Sequence, residues 1–264
     1  MIATQKIEVI KTSQSRLKEV NWEDLGFGKI FSDHMAVIEY RDGQWMNAQI
    51  RPYGPMQFSP AISALHYGQA IFEGLKAFKS ANDEVFIFRP EKNAERLNES
   101  ARRMCMPELP VDLFMESLTQ LIKFDSGWIP KGEGESLYIR PHMFAIDEYV
   151  GVRPSETYMF VIFTGPVGKY YTAELKVKIE TNYTRAVRGG TGHAKAAGNL
   201  SGVPCLGMVV GEHRGKPHHC RWSNPWVKLQ LVPLKKTADE LVAPDHAVAI
   251  PCCKVAQWKS TAKP

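Results

Sequence analysis

A glycine-rich segment around one lysine constrains this chain of 264 residues more than any other feature. Residues 181–199 read TNYTRAVRGGTGHAKAAGN, with glycines at 189, 190 and 192 that permit positive φ angles and close backbone approach. Room beside the Lys195 ammonium is left by small neighbours: Ala194, Ala196, Ala197 and Gly198. The segment therefore predicts a turn that presents one lysine to a bulky, planar partner.

Three interpretations of Lys195 follow from its neighbours. A phosphate-binding P-loop needs Gly-Lys-Ser/Thr in succession, and Lys195 stands between two alanines, so this route to nucleotide binding is disfavoured. A lysine that attacks a carbonyl to form a Schiff base must be neutral, and the nearby charges of Arg185 and Arg188 favour that form. A solvated lysine on a surface turn is the structural alternative.

Two β-hairpins are predicted in the first 90 residues. Asp42-Gly43 separates FSDHMAVIEY from WMNAQIR, and such a dipeptide between apolar runs favours a tight two-residue turn. The second hairpin joins LKAFK to EVFIFRP through the polar residues 80–83. Between the hairpins, residues 61–73 have the apolar spacing of a short helix that Gly74 would end.

Two amphipathic helices and two buried strands complete the first part of the chain. Pro90 opens a helix that runs to about residue 104, and Pro110 precedes a second helix, VDLFMESLTQLIKF. SLYIRPHMF and TYMFVIFTG are apolar, aromatic and β-branched, as buried strands are. Glycine and proline at close spacing then predict an interdomain loop at 166–174, between an N-terminal domain, 1–165, and a second domain, 175–264.

Charge and hydropathy exclude several classes of function. The net charge of +5 is carried by residues 201–264, which hold nine Lys/Arg and four Asp/Glu, so the first 200 residues are neutral and show no footprint for nucleic acid. No run approaches 18 apolar residues, and the N-terminus lacks a signal-peptide core. Five irregularly spaced cysteines form no disulfide framework. We therefore expect a soluble cytoplasmic protein.

Four ordered stretches resemble the branched-chain amino acid aminotransferases, pyridoxal-phosphate enzymes of fold-type IV. They are HYGQAIFEGLKAF at 66–78, FIFRPEKNAERL at 86–97, SLYIRPHMFAIDEYVGVRP at 136–154 and RAVRGGTGHAKAAGN at 185–199. The resemblance covers residues 20–199 and implies a two-domain α+β fold of the D-amino acid aminotransferase type, with a homodimer as the assembly.

The resemblance also implies the reaction. Lys195 would hold pyridoxal 5′-phosphate as an imine and would move the α-proton as general base and acid, while the amino group of leucine, isoleucine or valine passes to 2-oxoglutarate. D-amino acid aminotransferases and aminodeoxychorismate lyases share the fold class, but FEGLKAF and RGGTG are closer to the branched-chain group. An inactive remnant of such an enzyme remains an alternative.

Two arginines are predicted to contact the cofactor. Arg96 lies inside a helix, where a solvated arginine is the ordinary interpretation; by resemblance it reaches the cofactor phosphate, which suits a planar guanidinium. Arg185 could be a charge at a strand edge, and by resemblance it lies beside the pyridoxal ring hydroxyl. His193 is two residues from Lys195, yet a turn residue is the preferred interpretation.

A substrate pocket is predicted from aromatic residues that would otherwise be assigned to the core. By resemblance, an apolar side-chain pocket is walled by Tyr67, Phe72 and Tyr138, with Phe31 as a further member. Rings without charge select leucine, isoleucine and valine by shape. Arg140 is a buried-strand arginine that needs a partner, and we interpret it as a residue that orients the active site.

The sequence after Asn199 departs from the family pattern. The family's tyrosine after this asparagine is Leu200 here, and neither the acid for the pyridine nitrogen nor the threonine loop for the phosphate is found. None of the 12 Phe and 9 Tyr lies in residues 201–264, which hold four of the five cysteines. His218, His219 and the cysteines match no zinc spacing, so no metal site is predicted. A changed reading frame and a truncated second domain are the expectation.

Overall fold

The computed structural model describes residues 7–169 and 186–200, with only the backbone at Leu200. Its strands are β1 (Glu8–Val9), β2 (His34–Arg41), β3 (Gln44–Pro52), β4 (Ala70–Phe72), β5 (Leu75–Lys79), β6 (Val85–Ile87), β7 (Ser136–Ala145) and β8 (Tyr158–Val167). Its α-helices are α1 (Ser63–Tyr67), α2 (Pro90–Arg103) and α3 (Val111–Phe124). Short 3-10 helices span Leu17–Glu19, Ser126–Trp128 and Ala197–Leu200.

One sheet organises the described residues. Its strand order is β1-β3-β2-β8-β7-β5-β6, and β4 pairs with β7 off this path. The paired neighbours are antiparallel, except that β1 runs parallel to β3. Strand β7 alternates strictly from Tyr138 to Ala145, so that odd-numbered residues are buried on one face and even-numbered residues are half-buried on the other.

The two long helices cover the face of the sheet that carries the odd-numbered residues of β7. Helix α2 buries Ala94, Leu97 and Ala101 at the spacing of one helical face, and α3 buries Phe114, Leu118 and Leu121 in the same way. These side chains join the strand residues in one apolar core. Asn98 of α2 fixes the link to α3, because its amide exchanges two hydrogen bonds with the backbone of Leu109.

The opposite face of the sheet carries the half-buried side chains. Met35, Val37, Met159 and Val161 form a smaller apolar cluster there, and Phe144 and Phe163 pack against it. Tyr138, Arg140 and His142 of β7 share this face, because residues two apart in a strand point the same way. No helix in the described part of the chain is long and apolar enough to span a membrane.

Most of the predicted elements are confirmed. Both hairpins form, and Asp42 and Gly43 have the positive φ angles, 52° and 77°, that a tight turn between twisted strands requires. Helices α2 and α3 begin at residues 90 and 111, and the two buried strands are β7 and β8.

Two boundaries differ from the prediction. The helix expected over 61–73 ends at Tyr67, because Gly68 adopts a left-handed φ of 72° and stops it, and residues 70–72 instead pair with β7. The loop is expected to begin at residue 166, but β8 continues to Val167. Residues 170–185 and 201–264 lie outside the described residues, so the two-domain division stays a prediction.

Candidate active site

The lysine segment lies as a turn against the end of α2 and the edge strand β4. Gly189 has a φ of 79°, as the glycine-rich sequence predicts, and Ala196 forms an isolated bridge with Ile71. Ala194 and Ala196 are buried in the apolar core, whereas Lys195 between them is half-buried. The two alanines therefore anchor the segment in the core, and the Lys195 side chain between them lies outside that core.

Hydrogen bonds hold this segment from within. Asn199 donates to the carbonyl oxygens of Thr191 and Ala194 at 2.8 Å each, and its Oδ1 accepts from the Thr191 hydroxyl at 2.7 Å. A Cβ on Gly192 would stand 2.3 Å from the Cβ of Ala186, so only glycine fits there without a shift. His193 is exposed in the turn. The turn is thus defined by its own side chains as well as by its neighbours.

Two cationic groups meet at the ring of Phe72. The Lys195 Nζ lies 4.4 Å from the ring centroid, and the Arg140 Cζ lies 4.6 Å from it. The Phe72 amide also donates to the Lys195 carbonyl oxygen at 3.0 Å. Each cation is attracted by the ring, while the two positive charges oppose each other. The sheet thereby brings an amine and a guanidinium together from positions 55 residues apart in the sequence.

Arg140 has a donor that is not satisfied within the described residues. Its Nη2 donates to the Tyr138 hydroxyl at 2.8 Å, and its Cζ lies 5.3 Å from the Tyr138 ring centroid. Its Nε is buried and has no hydrogen-bond partner among those residues. A buried donor without a partner is costly, and a carboxylate or phosphate oxygen is the acceptor that a guanidinium fits best. Arg140 is therefore suited to an anionic ligand group.

Arg96 is paired with a buried carboxylate. Its Nε and Nη2 donate to the two oxygens of Glu73 at 2.6 and 2.7 Å, and Asn93 donates to the same carboxylate at 2.9 Å. Glu73 is fully buried, whereas the Arg96 side chain is 34% exposed. Sequence reasoning did not identify Glu73, whose only signal is an acid next to a pocket residue. The phosphate-binding role of Arg96 stays a prediction.

Phe27 and Phe31 pack against aromatic rings of the sheet, and the place of Phe31 in the pocket wall stays a prediction. The Phe31 ring stacks on Tyr53 at 5.0 Å and meets Phe163 edge-on at 5.5 Å, over the neighbouring part of the sheet. The Phe27 ring meets Tyr138 edge-on at 5.1 Å. Phe27 lies between two glycines with positive φ, Gly26 and Gly28, and an aromatic residue in such a turn was the signal that could have identified it.

Two further predicted residues remain untested. Tyr67 ends α1, is 40% exposed and donates its hydroxyl to the Val150 carbonyl, so its place in the pocket wall stays a prediction. Arg185 lies outside the described residues. No group of three or more metal-ligating side chains comes together within residues 7–169 and 186–200.

His142 adds a neutral ring beside Arg140. It stacks on Phe144 at 5.4 Å with an interplanar angle of 11°, and its Nδ1 is buried without a partner in the described part of the chain. Burial, assisted by the positive charge of Arg140, lowers the pKa of His142 from 6.5 to about 4. The imidazole is therefore uncharged near neutral pH and adds no positive charge beside Arg140.

The chain is similar to known aminotransferases in sequence and in fold, although no family model matches it. It is 46% identical over 201 residues to branched-chain-amino-acid aminotransferase 2 of Bacillus subtilis (strain 168). The matched region covers 75% of this chain and 55% of the relative. The chain thus spans about half the length of the curated relatives that it matches.

Two solved structures share the fold. The branched-chain aminotransferase of Thermoproteus uzoniensis with norvaline superposes with a TM-score of 0.53 at 20% identity, covering 69% of this chain and 56% of that one. The branched-chain amino acid aminotransferase of Escherichia coli gives a TM-score of 0.51 at 23% identity, covering 68% of this chain and 56% of that one. At these identities the likeness concerns the fold alone.

Proposed function

Over the three quarters of its length that the Bacillus subtilis relative matches, the chain belongs to the branched-chain amino acid aminotransferase family, and on this premise we propose that its function is aminotransfer. The amino group of leucine, isoleucine or valine would pass to 2-oxoglutarate with pyridoxal 5′-phosphate as cofactor. The observation that carries the proposal is the meeting of the Lys195 amine and the Arg140 guanidinium at one aromatic ring.

The described residues fit the cofactor in chemistry. Lys195 supplies a primary amine for a covalent bond to the cofactor aldehyde, and the flat ring of Phe72 beneath it suits a planar heterocycle. When bound, the cofactor would supply an electron sink for the carbanion left at the substrate α-carbon. Once the substrate amine has displaced Lys195 from the cofactor aldehyde carbon, the free Nζ would take the α-proton and return it to that aldehyde carbon, since the same amine can act as base and then as acid.

Arg140 would hold an anionic group of the substrate. Its fork is already oriented by the Tyr138 hydroxyl, and its buried Nε lacks an acceptor within the described residues. A carboxylate would satisfy that donor in a bond between two charged groups. The rings of Phe72, Tyr138 and Phe27 would give the apolar side chains of leucine, isoleucine and valine an uncharged wall. Tyr67 and Phe31 are further proposed members of that wall.

The remaining cofactor contacts are proposed from the resemblance. Arg96 would bind the cofactor phosphate, and its position one helical turn before Ser100, which contacts the Lys195 backbone, supports this assignment. Arg185 would lie beside the ring hydroxyl. We also propose the two-domain fold-type IV arrangement, in which residues 1–165 precede a cofactor-binding domain. The proposed assembly is a homodimer, which sedimentation would test, and the proposed location is the cytoplasm.

A second candidate is a chain that folds and binds the cofactor without turning over. The observation in its favour is the break after Asn199, beyond which the chain has no phenylalanine or tyrosine and carries its whole net charge of +5. This sequence has no acid within the motif in which the family carries its partner for the pyridine nitrogen. Resequencing the coding DNA around codon 200 separates a genuine sequence from a shifted frame.

Covalent trapping tests the proposed function. The 264-residue protein is incubated with pyridoxal phosphate, reduced with borohydride and mapped by peptide mass spectrometry. The expected result is a pyridoxyl label on Lys195, which the variant Lys195→Arg abolishes while its fold is retained. A label on other lysines, with Lys195 unmodified, would show that the assignment is wrong.

A further inference from the structure

The backbone of Lys195 is held between a helix and a strand. Its amide donates to the Ser100 Oγ at 2.9 Å, and its carbonyl oxygen accepts from the Phe72 amide at 3.0 Å. Around the lysine, the chain from residue 193 to residue 195 is neither helix nor extended strand, so no regular ladder sets its position. These two backbone contacts therefore contribute directly to the location of the lysine.

Helix α2 holds the lysine segment at more than one point. Arg103, three residues after Ser100 and on the same helical face, donates through Nη2 to the carbonyl oxygens of Gly189 at 2.8 Å and Gly190 at 3.0 Å. Ser100 is 1% exposed, so its hydroxyl faces the segment away from bulk water. The arginine fixes the first part of the turn, and the serine fixes the residue that carries the amine.

We propose that Ser100 is a positioning residue for Lys195, on the basis of the proposed function of that lysine. The hydroxyl oxygen supplies an acceptor for the Lys195 amide, and this sets the origin from which the lysine side chain extends over Phe72. Serine is a poor residue for a helix interior, since its hydroxyl competes for backbone bonds. Its burial in α2 is explained by this contact with another segment.

The chain offers a matched control in α3. Ser117 is also 1% exposed and helical, but its hydroxyl donates to the Leu113 carbonyl oxygen of its own helix at 2.7 Å. Ser100→Ala and Ser117→Ala therefore remove the same atom from comparable surroundings, and only the first removes a contact with Lys195. Ser100→Thr keeps the hydroxyl and serves as the rescue variant.

The first readout is cofactor attachment to the 264-residue protein, followed by borohydride trapping and peptide mapping at Lys195. Ser100→Ala is expected to raise the pyridoxal phosphate concentration for half-maximal labelling roughly tenfold, the equivalent of one ordinary hydrogen bond. Ser117→Ala and Ser100→Thr are expected to label like the unmodified protein. Wild-type labelling of Ser100→Ala would overturn the proposal.

The second readout is hydrogen exchange at the Lys195 amide, which needs no cofactor. Slow exchange in the unmodified protein and fast exchange in Ser100→Ala, with the core amides unchanged, would support the proposal. Equal exchange of the Lys195 amide in both proteins would overturn the proposal. If Ser100→Ala fails to fold, the unmodified protein alone decides, and fast exchange of its Lys195 amide would overturn the proposal. If the unmodified protein takes no pyridoxal phosphate, the proposed function fails, and exchange still decides the role of Ser100.

Discussion

At the scale of single residues, the site is defined by how charges are satisfied. Phe72 receives two cations on its ring, and Tyr138 accepts from one of them. One position along the chain from Phe72, Glu73 faces the opposite side of the sheet and is fully buried against Arg96. Adjacent residues thus serve the site on one face and the core on the other, because strand side chains alternate.

Loss of the buried Glu73 carboxylate is predicted to destabilise the protein more than loss of an exposed carboxylate. Replacing Glu73 with Gln leaves a guanidinium without its charge partner, and we expect the free energy of unfolding to fall by roughly 2–3 kcal/mol, less than for a fully buried pair since Arg96 is partly exposed. Urea unfolding measures it. The control is Glu95→Gln in the exposed Lys92–Glu95 pair, where a loss below about 0.5 kcal/mol is expected. Equal losses in the two variants would contradict the prediction.

His142 predicts a pH dependence of stability. Its pKa is about 4 in the folded protein and 6.5 ordinarily, so the unfolded chain binds more protons between these values and the free energy of unfolding falls as pH drops from 6.5 to 4. The decrease is about 3 kcal/mol in full. His142→Gln should flatten this part of the profile in urea titrations. A profile unaffected by His142→Gln would refute the assignment.

At the scale of elements, the site depends on a loop that crosses the end of β8. Ser32 donates its amide to the Thr164 carbonyl oxygen at 2.9 Å, and Gly168 donates to Gly26 at 3.2 Å, so residues 26–32 lie along the strand. The Ile30 carbonyl oxygen would stand 2.1 Å from a Cβ on Gly165. Glycine at 165 is therefore what allows this loop to approach and to bring Phe27 to Tyr138.

Gly165→Ala is predicted to push the loop away from the strand. Because the clash is with backbone, we expect a loss of about 1–3 kcal/mol in the free energy of unfolding and easier proteolysis near Phe27. Gly168→Ala is the matched control, since its Cβ would meet only the Leu25 Cβ at 3.8 Å, an ordinary contact. The prediction fails if thermal or urea unfolding cannot distinguish the two variants.

At the scale of the whole molecule, the matched part of the chain and the rest have different properties. The described residues carry Lys195, Arg140 and the aromatic rings beside them, and the curated relatives match two thirds to three quarters of the chain. Residues 201–264 contain no phenylalanine or tyrosine and carry the entire net charge. Aminotransfer therefore should require a second half that resembles the relatives.

A chimera tests this requirement. Residues 1–199 joined to the C-terminal half of the Bacillus subtilis relative should transfer the amino group of leucine at least roughly 10²-fold faster than the 264-residue chain, because that half would restore charged and hydrogen-bonding contacts to the cofactor. Activity is measured with leucine and 2-oxoglutarate, with the relative itself as positive control. Equal activity of the chimera and the full chain would exclude the interpretation.

Local sequence determined the secondary-structure elements and the turn that carries Lys195. Asp42-Gly43 set a hairpin, Pro90 and Pro110 opened helices, and the small residues around Lys195 predicted its turn, because each depends on backbone preferences of a few neighbouring residues. The family resemblance then predicted the fold and the aromatic wall. These conclusions needed no long-range contact.

Tertiary structure alone decided which residues meet. The pairing of β4 with β7 brings Phe72 beside His142 and Arg140, the approach permitted by Gly165 brings Phe27 to Tyr138, and α2 supplies Ser100 to Lys195. Such contacts join residues far apart in the sequence and depend on strand register and helix packing. Register is fixed by burial summed over the whole sheet, and that sum cannot be calculated from any one segment of the sequence.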